Sequence, residues 1–93
     1  MKAVIIYSCG PSWKAGKPHW EQKLVSHRTY LVESLKDQLV AAGPFMDHTG
    51  GLVIVDVNEL IDAEEIAKND PAVLENKFTY VVHPWEPLEG IFR

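Results

Sequence analysis

The sequence predicts an α+β sandwich in which one antiparallel sheet carries two main helices on one face. The 93 residues suit a single domain, residues 1–93, and 46% of them are hydrophobic, which is typical of a folded chain. Segments with strand and helix patterns follow one another as strand, helix, strand or hairpin, helix, strand, and no internal repeat interrupts them. In a chain this short, that order favours a ferredoxin-like sandwich.

Three apolar, β-branched runs are the predicted strands: residues 3–9, 52–57 and 78–83. Within them, residues 3–7, 52–55 and 80–82 are apolar at consecutive positions, whereas a sheet with one face in water should alternate. Two helices cover only one face, so the second face needs another cover. The sequence therefore predicts a homodimer formed through the open sheet face.

The longest helix is expected to begin near Trp20 and to run to Ala42. Leucines recur along it at helical spacing, and Gly43-Pro44 follows as a typical stop signal. A second helix is expected to open at Asp62, with Glu65 completing a capping box, and to reach about residue 69. Asp70-Pro71 then predicts a further helical turn.

Composition excludes several classes of function. The net charge of −4 disfavours binding to a nucleic-acid backbone, and a single cysteine forms no internal disulfide and supports no zinc finger. No apolar run approaches the roughly 18 residues that cross a bilayer, so we expect no membrane association and a cytoplasmic location. The four histidines show no metal-ligand spacing and no glycine-rich phosphate loop is present, so neither a metal nor an organic cofactor is expected.

His27 and Asp70 are the candidate catalytic residues. His27 lies at the edge of the apolar stripe of the long helix, where it is either a half-buried histidine bonded to a carbonyl or a general acid/base at the mouth of a cavity. Asp70 before Pro71 is a standard helix cap, and its carboxylate could also orient the His27 ring. Spacing alone does not pair residues so far apart in sequence.

Candidate substrate-binding residues come from the charge and aromatic patterns. Residues 1–36 carry six basic and two acidic side chains, which would attract a small anion, and Arg28 follows His27 directly. Aromatic side chains could form the walls of an apolar pocket. The candidates are Arg28, Ser8, Phe45 and Trp85.

An ordered set of motifs resembles the YCII-related (YciI-like) family. It extends over about residues 20 to 85 and consists of His27-Arg28-Thr29-Tyr30-Leu31, Leu35, residues 39–47 with Ala42-Gly43-Pro44-Phe45, Gly50-Gly51, Asp70-Pro71 and Pro84-Trp85. The chain departs from the family pattern at Leu24, where many members have arginine, and at Asp37, where glycine is common.

The resemblance implies a ferredoxin-like protomer that forms a dimeric α+β barrel, with a His–Asp active site at His27 and Asp70. One branch of the family is a dehydrochlorinase acting on a chlorinated hydroxyquinol, and related dimeric barrels include muconolactone isomerase. The resulting hypothesis is a cofactor-independent lyase or isomerase that acts on a small cyclic or aromatic, anionic compound. The alternative is a non-catalytic dimeric module that binds a small ligand or a partner protein.

Overall fold

A four-stranded antiparallel sheet forms the centre of the protein, as shown by a computed structural model that describes residues 1–90. The strands are β1 (Lys2–Cys9), β2 (Leu39–Pro44), β3 (Gly50–Asp56) and β4 (Phe78–Trp85), arranged in the order β2-β3-β1-β4. Every neighbouring pair is antiparallel. This strand order, with helices between β1 and β2 and between β3 and β4, confirms the predicted ferredoxin-like fold.

The helices pack on one face of this sheet. They are α1 (Val25–Thr29), which continues as a π-helical turn (Tyr30–Ser34), then α2 (Leu60–Lys68) and α3 (Pro71–Leu74). Alternate residues of the strands point toward them and form the core with small or branched helix residues. The buried core consists of Ala3, Ile5, Tyr7, Leu31, Leu35, Val53, Val55, Val57, Ala63, Ala67, Ala72 and Phe78.

The prediction of a helix reaching Ala42 was wrong. The helical segment ends near Lys36, whose left-handed backbone (φ 48°) interrupts it, and a short 3₁₀ turn leads into β2. Leu39 then pairs with Val55 of β3, so a strand occupies the stretch whose leucine spacing had favoured a helix. Pairing with β3 gives the backbone of this stretch hydrogen-bond partners that the local pattern does not reveal.

The start of α2 also differs from the prediction. The N-cap is Glu59 rather than Asp62, and the two form a capping box in which the Asp62 carboxylate accepts a hydrogen bond from the Glu59 backbone N–H at 3.1 Å. The acidic pair thus lies three residues earlier than expected, with aspartate in the position that glutamate commonly takes. The helix ends at Lys68, and Asp70 caps α3 as predicted.

The sheet face that points away from the helices is apolar at its centre. Val4 and Ile6 of β1 lie beside Ile54 and Leu52 of β3, and all four point opposite to the core residues because side chains alternate along a strand. Val81 on β4 pairs with Ile6 and is 52% exposed. Among residues 1–90, no helix packs on this face.

Residues 10–22 form a loop that is tied to itself by a buried side chain. Gln22, 1% exposed, accepts a hydrogen bond from the Lys14 N–H and donates to the carbonyls of Lys14 and Lys17. Farther along, the indole of Trp13 stacks on the ring of Phe78, with centroids 5.4 Å apart. The loop is therefore bonded within itself and packed beside the start of β4.

Gly50 allows β3 to approach β1 closely. Its φ of +150° lies in a region that other residues rarely adopt, and a Cβ atom at this position would meet the Tyr7 carbonyl oxygen at 1.9 Å. Gly50 and Gly51 are the first two residues of β3. Gly50 brings the β3 backbone against the part of β1 that carries Tyr7.

Candidate active site

The His27 and Asp70 side chains are in direct contact. His27 lies in the middle of α1 and Asp70 at the N-cap of α3, and the His27 Nδ1 and Asp70 Oδ2 atoms are 2.7 Å apart. The distance is that of a charge-assisted hydrogen bond. The His27 side chain is 13% exposed and that of Asp70 is fully buried.

Three donors converge on the Asp70 carboxylate. Oδ1 accepts the Ala72 backbone N–H at 2.9 Å, which is the capping contact, and Oδ2 accepts the Tyr7 hydroxyl at 2.9 Å as well as His27 Nδ1. These three hydrogen bonds satisfy a carboxylate that is fully buried and has no access to water. Asp70 therefore both caps α3 and orients the His27 ring, so the two interpretations of its sequence context are compatible.

Aromatic rings fix the orientation of the His27 imidazole. The ring centroid lies 5.3 Å from that of Tyr7 and 5.3 Å from that of Phe78, both in edge-to-face geometry. Such pairs favour a defined ring orientation. The His27 ring is thus held by two aromatic neighbours as well as by the carboxylate.

The second ring nitrogen of His27 faces an open pocket. Every buried side-chain nitrogen or oxygen of residues 1–90 has a hydrogen-bond partner, whereas Nε2 makes no hydrogen bond to them. Nε2 is therefore the nitrogen that a bound molecule can reach. With Nδ1–H donating to Asp70, Nε2 carries a lone pair and can accept a proton.

The pocket beside His27 has a volume of about 470 Å³ and lies between α1 and the edge of the sheet formed by β2 and β3. That volume falls within the range of about 300–1,000 Å³ that is common for small-molecule sites. Most of its walls are aliphatic, including Leu24, Leu31 and Val53, while His19 and Arg28 supply polar groups. The arrangement suits a small, mainly apolar ring with one anionic substituent.

The four substrate-binding candidates are placed differently. Arg28 lines the pocket, whereas Ser8, Phe45 and Trp85 do not. Ser8 points away from the core face because it follows Tyr7 on the strand, and Phe45 lies in the turn after β2. Trp85 pairs with Lys2, at the opposite end of β1 from Tyr7. The rise per residue of a β-strand puts Lys2 about 17 Å from Tyr7. These three residues are therefore not part of this pocket.

A second group of rings lies at the pocket side of the loop. The Nδ1 atoms of His19 and His48 are 3.4 Å apart, and the exposed Trp20 ring lies edge-on to both imidazoles. Their positions in the sequence do not indicate that these three side chains lie together. Within the part of the chain that the structure describes, no group of three or more histidine, cysteine or acidic side chains could hold a metal ion.

Tyr7 is the site residue whose part the sequence did not reveal. In the strand pattern it was one of several aromatic residues that could form a pocket wall. The available signal was its position on the core face, because a buried tyrosine hydroxyl needs a hydrogen-bond partner. That partner is Asp70, which is 63 residues away in sequence.

Burial and the neighbouring Asp70 raise the pKa of the Tyr7 hydroxyl well above its ordinary value of 10.0. A tyrosine in the unfolded chain ionises near pH 10, whereas Tyr7 in the folded protein stays neutral at that pH. Its contribution to the free energy of unfolding is therefore fully present below about pH 10 and decreases progressively as the pH rises further. We expect the free energy of unfolding to fall above pH 10 by up to about 1.4 kcal/mol per pH unit from this group. Urea denaturation between pH 9 and pH 11.5 measures it.

The matched variants are Tyr7→Phe and Tyr80→Phe. In Tyr7→Phe, the free energy of unfolding should fall less steeply above pH 10 than in wild type, whereas Tyr80→Phe should show the wild-type fall. Parallel declines in wild type and Tyr7→Phe would show that burial does not hold Tyr7 neutral.

Comparison with known proteins places the chain in a family. The model of the YCII-related domain matches residues 3–86, nearly the whole chain. The chain belongs to the YCII-related family. This confirms the resemblance seen in the ordered motifs. No protein of curated function matches the sequence.

Among solved structures, this YCII-related protein is similar to 5-chloro-2-hydroxyhydroquinone dehydrochlorinase from Burkholderia phenoliruptrix, determined in complex with 2,5-dihydroxybenzoquinone. The TM-score is 0.71 at 19% sequence identity, and the match covers 92% of this chain and 94% of the other. At that identity, the likeness establishes the shared fold. Among residues 1–90, no helix is long and apolar enough to cross a membrane, and the cytoplasmic location stays a prediction.

Proposed function

We propose that this YCII-related protein is a small-molecule enzyme in which His27 moves a proton and Asp70 orients and stabilises the His27 ring. The observation that carries the proposal is the 2.7 Å contact between His27 Nδ1 and the buried Asp70 Oδ2, beside a pocket that leaves Nε2 free. A histidine held in this way is suited to general acid/base chemistry near neutral pH.

The proposed reaction is an elimination or isomerisation of a small cyclic or aromatic compound. In an elimination, Nε2 takes up a proton from the ring or one of its hydroxyl groups while an anionic leaving group departs with its electron pair. The imidazolium ion that forms is stabilised by the Asp70 carboxylate. Loss of a proton and an anion leaves the oxidation balance unchanged, so the step needs no redox cofactor.

Arg28 is the proposed contact for an anionic substituent. It is exposed, lines the pocket and makes no ion pair with residues 1–90. Leu24, where arginine is common in the family, adds apolar surface to the same pocket. Arg28 would therefore bind the anion from a position one helical turn after the one that arginine occupies in many relatives.

The direct test is chloride release from 5-chloro-2-hydroxyhydroquinone, measured under anaerobic conditions with a chloride electrode. Binding of 2,5-dihydroxybenzoquinone is measured in parallel through tryptophan fluorescence, since Trp13 stacks on Phe78 beside the pocket. Chloride release above the protein-free rate supports an eliminating enzyme. Saturable quinone binding without chloride release supports the non-catalytic ligand-binding module instead, and neither signal would count against this substrate class.

We also propose that two copies associate through the open sheet face, as the apolar strands predict. Val4 and Ile54 at the centre of this face are already buried within one copy, whereas Ile6, Leu52 and Val81 keep exposed apolar surface. The same face of a second copy would cover that surface. A face-to-face pair of sheets buries the side chains of both. The proposed assembly is the dimeric α+β barrel.

Ile6→Glu places a charge at the centre of this face and should convert the dimer to a monomer or a weakly associating species, because an unpaired buried charge is costly. Sedimentation velocity at several protein concentrations measures the effect. Val25→Glu adds the same charge at an apolar residue of α1 that is 76% exposed, and it should leave the dimer intact. A wild-type protein that sediments as a monomer, or an Ile6→Glu protein that stays dimeric, would contradict the proposal.

A further inference from the structure

Two hydrogen-bond donors from different parts of the chain reach the same oxygen atom of Asp70. The Tyr7 hydroxyl, on β1, lies 2.9 Å from Oδ2, and His27 Nδ1, on α1, lies 2.7 Å from it. The other oxygen is occupied by the Ala72 N–H. Because Asp70 is fully buried, these three donors are its contacts in place of water.

The two donors at Oδ2 affect each other through the charge that they share. A hydrogen bond to a carboxylate stabilises its negative charge, so that the oxygen attracts a second positive group less strongly. Tyr7 stays a neutral donor because burial and Asp70 raise its pKa. Its hydroxyl therefore weakens the electrostatic attraction between the Asp70 carboxylate and a protonated His27 ring.

Other titratable groups near the pair are differently placed. The Tyr30 hydroxyl donates to the Ile66 carbonyl at 2.8 Å rather than to Asp70. Arg28 and His19 line the pocket and do not bond to the carboxylate. Tyr7 is thus the ionisable side chain that contacts the same carboxylate oxygen as His27.

We propose that Tyr7 is a positioning residue that sets how readily His27 takes up a proton, acting through the shared Asp70 oxygen. Tyr7 lines the pocket but is only 1% exposed, and its hydroxyl is bonded to Asp70, so the hydroxyl acts on the carboxylate. Its hydroxyl shares with His27 Nδ1 the negative charge of the same carboxylate oxygen. The role of Tyr7 in catalysis rests on the proposed function. The ratio of protonated to neutral His27 rings, however, can be measured in the protein without substrate.

Tyr7→Phe removes the hydroxyl and keeps the ring that packs against His27 and Phe78. The carboxylate then has one donor fewer, and the His27–Asp70 pair should bind a proton more strongly. At a fixed pH near 7, the ratio of cationic to neutral His27 rings is expected to rise about threefold to tenfold, as for partial loss of a hydrogen bond to a charged group.

Nitrogen-15 NMR of protein labelled at the histidine side chains measures this ratio, because the ring nitrogen shifts distinguish cationic, Nδ1–H and Nε2–H forms. Tyr30→Phe is the matched control, since it removes a tyrosine hydroxyl that bonds a neutral carbonyl. It should leave the His27 spectrum unchanged. Equal His27 spectra in wild type and Tyr7→Phe, or an equal shift in both variants, would overturn the proposal.

A second variant tests the opposite direction and keeps the hydroxyl if Tyr7→Phe fails to fold. Site-specific 3-fluorotyrosine at position 7 is a stronger hydrogen-bond donor, so the cationic fraction of His27 should fall. A rise or no change would overturn the proposal. Because both measurements use the protein without substrate, a negative turnover assay contradicts the proposed function and leaves this result standing.

Discussion

Replacing His27 by glutamine is expected to reduce turnover of a converted substrate by about 10²–10⁴-fold, the usual contribution of a positioned proton-transfer group. Glutamine is close in size and keeps a group that can donate to Asp70, but it has no nitrogen that takes up a proton near neutral pH. The loss should appear in kcat, with a smaller change in KM, because the aliphatic walls of the pocket remain. Steady-state kinetics measure both constants.

Glu64→Gln is the control, because it introduces the same glutamine at an exposed residue of α2 outside the pocket. It should keep wild-type turnover. Full turnover by the His27→Gln protein would eliminate His27 as the proton-transfer group. Loss of quinone binding with unchanged folding, in the absence of any turnover by wild type, would instead assign His27 to a ligand-binding module.

Asp70→Asn is expected to reduce turnover by a similar factor, about 10²–10⁴-fold, and to lower the free energy of unfolding by about 1–3 kcal/mol. An asparagine amide can still accept the Ala72 N–H with its oxygen, but its NH₂ group then faces the Tyr7 and His27 donors. One buried donor is left unsatisfied. The His27 ring is driven toward the form with a proton on Nε2, which is no longer a base.

Two measurements separate these effects. Denaturation by urea gives the stability change, and kinetics at a temperature well below unfolding give the catalytic change. Asp37→Asn, at an exposed residue ahead of β2, should alter neither by a measurable amount. An Asp70→Asn protein that is destabilised but fully active would restrict Asp70 to its capping role.

The sequence predicted the order of the elements and the apolar character of the sheet, because strand and capping patterns are local. Asp70-Pro71 marked a helix start correctly for that reason. The prediction from local patterns failed at β2, where Leu39 fits a helical spacing of leucines but pairs with Val55 in a strand. A strand at the sheet edge is decided by a partner that lies elsewhere in the chain, and no window around Leu39 contains that partner.

In the candidate site, too, local sequence indicated single residues but not the contacts between distant ones. His27 and Asp70 were each suspected from local context, but their pairing came from the family resemblance, since no periodicity connects α1 with the start of α3. Arg28 followed from its position next to His27. The part played by Tyr7 depends on which side of β1 faces the helices and on how close α3 comes to it. Both are properties of the folded chain.

The loop tied together by Gln22 bears on how a ligand enters the pocket. Since residues 14 and 17 are already bonded to that buried amide, the segment leading to His19 is organised before anything binds. Binding then carries little cost in conformational entropy, and the free and occupied forms should differ by less than about 1 Å in backbone position. Association should accordingly be fast and proceed in a single kinetic phase, without a slow closing step.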